Sequence, residues 1–364
     1  MMTEWPDRRI LDLFGIELPI VLAPMAGPGT PQMTIAVSEA GGLGSLPSAQ
    51  MNLEQVRVAV ELIRSKTSRP FNLNFFCHTP PVADPVRALT WRTRLAPYFV
   101  ELGLDPEAPL PSSTRRPFDG DFCALIEECK PSVISFHFGL PEPSLLARVK
   151  AIGAKVIASA TTVREARWLE QRGCDAVIAM GLEAGGHRGN FLSEDIARQV
   201  GTFALVPQVA DAVKIPVIAA GGIADARGIV AALALGASAV QIGTAYLFCP
   251  EAATPALHLK ALDSAVDDDT IVTNVFTGRP ARGIVNRLIS EVGPMSSATP
   301  GFPLAAPAVA PLRAKSEPSG SSDFMSLWSG QAASLARRRI PAGELTRMLA
   351  AEALAKLASL GRIS

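Results

Sequence analysis

Ala176-Val177-Ile178-Ala179-Met180, followed three residues on by Glu183-Ala184-Gly185-Gly186-His187-Arg188-Gly189, is the stretch on which the fold turns. A continuous apolar run of five is the pattern of a strand covered on both faces, as parallel strands are. It empties into a loop where paired glycines leave backbone N–H groups uncovered beside a histidine, the side chain suited to proton traffic near neutral pH.

The same texture recurs. Short apolar runs at 19–25, 42–46, 71–76, 133–138, 156–160, 176–180, 216–220 and 237–242 alternate with helical patterns such as 52–65, 144–152, 163–172 and 226–235. In the first of these helices Glu54, Arg57, Glu61 and Arg64 form a polar stripe, while Val56, Val60 and Ile63 face the other way. Thr162 is placed to cap the helix that Gly173 ends. Strand–helix alternation with short connections predicts parallel βα units, and eight of them predict an α/β fold of the closed (β/α)8 TIM-barrel type.

Two stretches break the rhythm. Residues 77–130 are too long for a simple βα unit and read as an excursion over the barrel mouth; residues 294–323, rich in Pro, Ala, Ser and Gly, read as a mobile loop or lid. A terminal helix at 342–360 has apolar residues spaced to pack on the outside of the barrel. The expected organisation is a barrel at 1–260 and a C-terminal substrate-side region at 261–364.

Bulk composition narrows the function classes. The 364 residues are 48% hydrophobic and 19% charged, with 34 basic and 34 acidic side chains, a balance that points to neither nucleic acid nor an anionic membrane as partner. Five cysteines without a CxxC fit unpaired thiols in a reducing, cytoplasmic setting. Residues 228–250 carry no formal charge and are long enough to span a bilayer, but a change of texture at Gly236 reads as an alanine-rich helix followed by a buried strand at 237–248.

Barrel chemistry sits where strands end. That rule singles out Ala23, Pro24 and Met25 after the first run, Asn74 in the third, His137 in the fourth, His187 after the sixth, Gly221 and Gly222 after the seventh, and Gln241, Gly243 and Thr244 at the eighth. The glycines of the last two loops, with the helix starting near Asp225, suit a phosphate; their other reading is that they make tight turns. His137 is either a group facing the mouth or a core histidine with satisfied partners, and His78 and His258 read as solvated or structural. Asn74, if buried, needs hydrogen-bond partners, which a heteroaromatic cofactor edge, a water or the backbone would supply. No metal-ligand spacing, P-loop or GxSxG occurs.

Assembled in order, these pieces resemble the nitronate monooxygenase family, formerly 2-nitropropane dioxygenases, which are FMN-dependent barrel enzymes. The resemblance runs from about Leu11 to Leu360 and rests on PIVLAPMAG (19–27), AVSEAGGLGSL (36–46), FNLNFFCH (71–78), VISFHFGLP (133–141), EAGGHRG (183–189), IPVIAAGGIAD (215–225) and VQIGTAYL (240–247). FTGRPARGIVNR (276–287) and LWSGQAA (327–333) match the family's C-terminal portion. It implies an FMN across the mouth, met by residues 23–25 and Asn74 at the ring, with Gly185, Gly186, Gly221, Gly222, Gly243 and Thr244 around the ribityl phosphate and Gln241 nearby. His187 would stand beside the flavin and His137 on the substrate side, both in catalytic roles, for oxidation of an alkyl nitronate such as propionate 3-nitronate, or of a nitroalkane, by O2 to a carbonyl compound and nitrite.

The chain departs from the pattern at Met180, where many relatives carry Gln or Glu and where a thioether offers no comparable polar contact. Phe324 and Trp328 are candidates for apolar substrate walls. Two other readings compete: an FMN- and NAD(P)H-dependent reductase of the enoyl-acyl-carrier-protein or quinone type, and a noncatalytic flavin-binding protein.

Overall fold

The apolar runs form one sheet of eight parallel strands: β1 (Ile20–Leu22), β2 (Gly44–Pro47), β3 (Phe71–Phe76), β4 (Val133–His137), β5 (Lys155–Ala160), β6 (Ala176–Met180), β7 (Val217–Ala220) and β8 (Ala239–Ile242). Each strand pairs with its sequence neighbour, and β8 pairs with β1 in the register Val21 to Gln241. The ring closes between β1 and β2, where Leu43 N–H donates to Ile20 O and Leu22 N–H to Leu43 O, both at 2.9 Å. This computed structural model describes residues 4–113 and 115–361.

The side-chain period of two divides each strand between core and mouth. Leu73, Phe75, Ile134, Phe136, Val177 and Ala179 pack outward in the main apolar core, whereas Asn74, Ser135, Ser159, Ile178 and Met180 face a cavity at the strand ends. Deeper in the barrel Asn72 donates to Ser45 Oγ (3.0 Å) and Ser135 Oγ (2.9 Å), while its own Oδ1 is buried without a partner.

Local signals set the helices. Asn52 and Gln55 form a capping box at the start of Leu53–Lys66, and Thr162 Oγ1 accepts from Glu165 N–H at the start of Val163–Gln171. Helix Gly120–Cys129 is the ordinary crossover from β3 to β4, so the excursion within 77–130 reduces to helix Pro85–Glu101 and its flanking loops. Helix Ala342–Leu360 packs against helices Pro31–Glu39 and Ala226–Ala234 on the outside of the barrel. There Tyr246 and Thr346 hydroxyls bond at 2.8 Å, and Leu345, Leu349 and Ala353 are buried.

Two readings change, and one element is new. The 294–323 stretch is not all loop: Ala306–Ser316 is helical, and Ala308, Val309 and Leu312 bury against Trp91, Leu95 and Phe324 in a second apolar core. The strand expected at 237–248 ends at Ile242, and Thr244–Phe248 turns into a 3-10 helix because Gly243 breaks the extended backbone. A second, antiparallel sheet joins Thr270–Thr273, Ala281–Ile284 and Gly186–His187, pairing His187 with Ala281. Among the described residues no helix is long and apolar enough to cross a membrane.

Leu349→Ala should cost about 2–5 kcal/mol by opening a cavity under the terminal helix, measurable by denaturant unfolding. A loss below about 1 kcal/mol would show that this helix is dispensable to the barrel.

Candidate active site

The loop after β6 is held by its carbonyl oxygens. Arg188, fully buried, donates to Met180 O (3.0 Å) and Gly181 O (2.8 Å), and Arg282 donates to Leu182 O (2.9 Å). Burial lowers both guanidinium pKa values, that of Arg188 to about 10, and the Glu183 carboxylate partly offsets this for each. Glu183 itself accepts from Thr202 N–H and Thr202 Oγ1–H, capping helix Thr202–Ala212. The first residue of the EAGGHRG motif is therefore an architectural anchor.

That anchored loop delivers His187. Its Nε2 lies 2.9 Å from Thr277 Oγ1, while its backbone carbonyl accepts from His137 Nε2 at 3.1 Å. A carbonyl partner fixes the His137 proton on Nε2, so Nδ1 accepts from Ser159 Oγ–H at 3.0 Å. Both His137 nitrogens are thus engaged within the protein. Rings of Phe302 (5.3 Å), Trp328 (5.5 Å), Phe76 and Phe138 (both 6.2 Å) surround His187 and dry it. Burial, and then the charges of Arg115 and Arg279, press the His187 pKa well below its ordinary value; burial takes His137 to about 3. Both shifts favour the neutral imidazole.

Every residue singled out from the sequence as a cofactor or catalytic candidate lines one cavity of about 400 Å³: Ala23, Pro24, Met25, Asn74, His137, Met180, Gly185, Gly186, His187, Gly221, Gly222, Gln241, Gly243 and Thr244. That volume falls in the range of about 300–1,000 Å³ usual for small-molecule sites. Glycine is required where the walls come close. A Cβ on Gly221 would stand 3.0 Å from Ala184 N and 2.9 Å from Thr202 Oγ1, at φ +110°. One on Gly243 would stand 3.3 Å from Ala23 Cβ.

The wall also carries unanswered polarity. Gln241 Oε1 is buried without a partner, which suits a ligand that brings an N–H or O–H. Thr244 Oγ1 accepts from Gly330 N–H (3.0 Å) and keeps its own proton to donate. Asn74 donates to Ser135 Oγ (2.9 Å) and Ser135 O (3.3 Å), so protein groups already meet its N–H needs.

The helix end expected to help with an anion is filled: Asp225 caps Ala226–Ala234 by accepting from Arg227 and Gly228 N–H. An anion would meet the glycine loop instead. His78 and His258 are buried, not solvated; His258 lines the cavity and its Nε2 donates to Trp328 O (3.1 Å). Sequence reasoning also passed over Arg115, Gln50, Ser159 and Gly330, which come from four separate loops or strand ends of that wall. Only Gly330 had a signal, inside the LWSGQAA stretch.

Gly221→Ala is expected to destabilise the chain by about 1–3 kcal/mol through positive-φ strain and the close wall, read from chemical denaturation. Wild-type stability in that variant would contradict the tight geometry of this loop.

The chain matches the family model described as nitronate monooxygenase over residues 7–352. It is 42% identical over 346 residues to the nitronate monooxygenase of Pseudomonas aeruginosa, covering 94% of this chain and 98% of that one. It is 41% identical over 355 residues to that of Paraburkholderia phytofirmans, covering 97% and 96%. Among solved structures it superposes on the nitroalkane oxidase of Streptomyces ansochromogenes with a TM-score of 0.88 at 39% identity, covering 96% and 99%. FabK of Thermotoga maritima gives 0.75 at 31% identity, covering 99% and 100%. A single barrel with all of its mouth motifs in place, and relatives matched from end to end, lead to one assignment: the chain belongs to the nitronate monooxygenase family, a family of flavoenzymes.

Proposed function

We propose that the protein oxidises alkyl nitronates with O2, giving a carbonyl compound and nitrite, and that its cofactor is FMN. The observation that carries this reading is a histidine ringed by aromatic side chains at the wall of a glycine-lined cavity, with half-buried arginines beside it. FMN fits the cavity on two features of the chain: Gln241 Oε1 lacks a donor, and side chains at Gly221 and Gly243 would fill the space beside their loops. Asn74 and residues 23–25 would hold the ring edge, and Gly221, Gly222, Gly243 and Thr244 would hold the ribityl phosphate. When bound, FMN supplies electron transfer between the nitronate and dioxygen.

The protein's own residues orient the substrate. We assign the His187 proton to Nδ1, with Thr277 Oγ1–H donating to Nε2, so that the ring presents one N–H to an oxygen of the nitronate. His137 is a positioning residue: its Nε2–H fixes the backbone of His187, and Ser159 fixes His137. The aromatic wall excludes water. Met180 adds a thioether to this wall, buried and adjoining the space beside Gly189. A drier flavin pocket follows. Five unpaired cysteines fit work in the cytoplasm.

The reductase reading shares the barrel, but the nitroalkane oxidase superposes better than FabK and at higher identity. Oxygen uptake with nitrite release from propionate 3-nitronate, without NAD(P)H, is the expected result. No nitrite, together with anaerobic bleaching of the flavin by NADPH, would sink the proposal in favour of a reductase.

His187→Ala should lower kcat/KM about 10²-fold or more while FMN is retained. Because burial lowers the His187 pKa, the neutral ring persists as pH falls; kcat/KM for a nitronate should show no ionisation near the ordinary histidine value of about 6.5. A clear limb there in the wild type, absent in His187→Ala, would contradict a neutral His187.

A further inference from the structure

We infer that Arg115 is the specificity residue of this site: its guanidinium binds the anionic head of the substrate and selects the nitronate over the neutral nitroalkane. The inference rests on the proposed function and adds a residue that the motifs do not contain.

Four partly or fully buried arginines surround the mouth, and they are not equivalent. Arg188 and Arg282 are spent on the carbonyls of residues 180–182. Arg279 stacks on the Phe138 ring, 3.9 Å from its centroid, and donates to the carbonyls of Arg188 and Asn190. Arg115 alone of these four lines the cavity. With the Gln50 amide turned to present its oxygen, that oxygen accepts from Arg115 Nη2 (3.1 Å) and Nε (3.2 Å). A neutral amide orients the guanidinium without cancelling its charge. Among the described residues no carboxylate pairs with it. Arg313, the other arginine on the cavity wall, is by contrast ion-paired with Glu317 at 2.8 Å.

Position assigns the ligand. Three residues after Arg115, Phe118 N–H donates to Phe76 O (2.7 Å), and the Phe76 ring lies 6.2 Å from that of His187, which places this loop at the histidine end of the cavity. The glycine loops of β7 and β8, with Gly330, form the other end. A guanidinium is planar and offers parallel donors, which matches the two oxygens of a nitronate as it matches a carboxylate. A neutral nitroalkane would leave that buried charge unanswered. The charge that balances the substrate therefore comes from Arg115, while the histidines stay neutral.

The test uses the flavin-loaded protein and two substrates of one skeleton, propyl-1-nitronate and 1-nitropropane, with nitrate as a planar, unreactive oxyanion. Arg115→Gln should raise KM for the nitronate and Ki for nitrate by at least about tenfold, the size expected for a lost charge-assisted hydrogen bond. kcat, and any turnover of 1-nitropropane, should change little. Arg115→Lys should recover part of the nitrate affinity. In Arg115→Gln the His187 pKa should also rise, because one positive neighbour is gone while burial and Arg279 still lower it.

Unchanged nitrate binding in Arg115→Gln would overturn the assignment. So would an equal loss on both substrates, which is the mark of a merely structural role. Calorimetric titration with nitrate needs no turnover. If wild-type protein released no nitrite, the functional reading would fail while Arg115 remained testable by that titration.

Discussion

Two guanidiniums gripping three consecutive carbonyls, Met180, Gly181 and Leu182, are the interaction on which the site depends. A loop rich in glycine has high conformational freedom, and nothing in its own sequence fixes where a histidine within it will stand. Arg188 and Arg282 remove that freedom from one side. Glu183, tied to the start of helix Thr202–Ala212, removes it from the other. Pairing of Gly186–His187 with Ala281–Arg282 then sets the direction of the ring. The geometry is bought with buried charge, since both arginines bond to neutral carbonyls in place of carboxylates.

That arrangement has an electrostatic consequence. Several guanidiniums lie in or beside a partly dried cavity whose histidines burial keeps uncharged. A low local dielectric magnifies the field of each cation and raises the cost of leaving it unmatched. A site of this kind favours an anion and needs no protonated imidazole to hold one. On the proposed assignment the positive charge that meets a nitronate comes from Arg115 and not from a protonated imidazole. Proton position at His187 becomes a matter of hydrogen-bond direction through Thr277, not of net charge.

Much of this was legible in the chain. Mostly apolar runs identified the barrel because strands covered on both faces leave little room for polar side chains. The strand-end rule then found the cavity, since in a parallel barrel every C-terminal strand end opens on the same side. Ala23, Gly221 and Gln241 lie far apart in sequence and share one wall for that reason. Less was legible where residues act across long separations. Arg115 stands in a Pro- and Ser-rich loop whose composition reads as surface, and Gln50 ends a 3-10 turn with no motif around it. Helix Ala306–Ser316 was hidden by its prolines: Pro307 sits in the first turn, where no N–H is needed, and packing against Leu95 and Phe324 carries the rest.

The sequence by itself determined the barrel, the mouth and many of the residues that meet there, because periodicity and strand-end placement are local properties that tertiary packing only joins. Which of those residues are free to act was decided by tertiary structure alone. His137 could be read as facing the mouth or as a satisfied core histidine until the His187 carbonyl and Ser159 took both of its nitrogens. Asp225 looked like the start of an anion site until its own carboxylate filled the helix end. Hydrogen-bond capacity is finite, and only the folded chain shows where it has been spent.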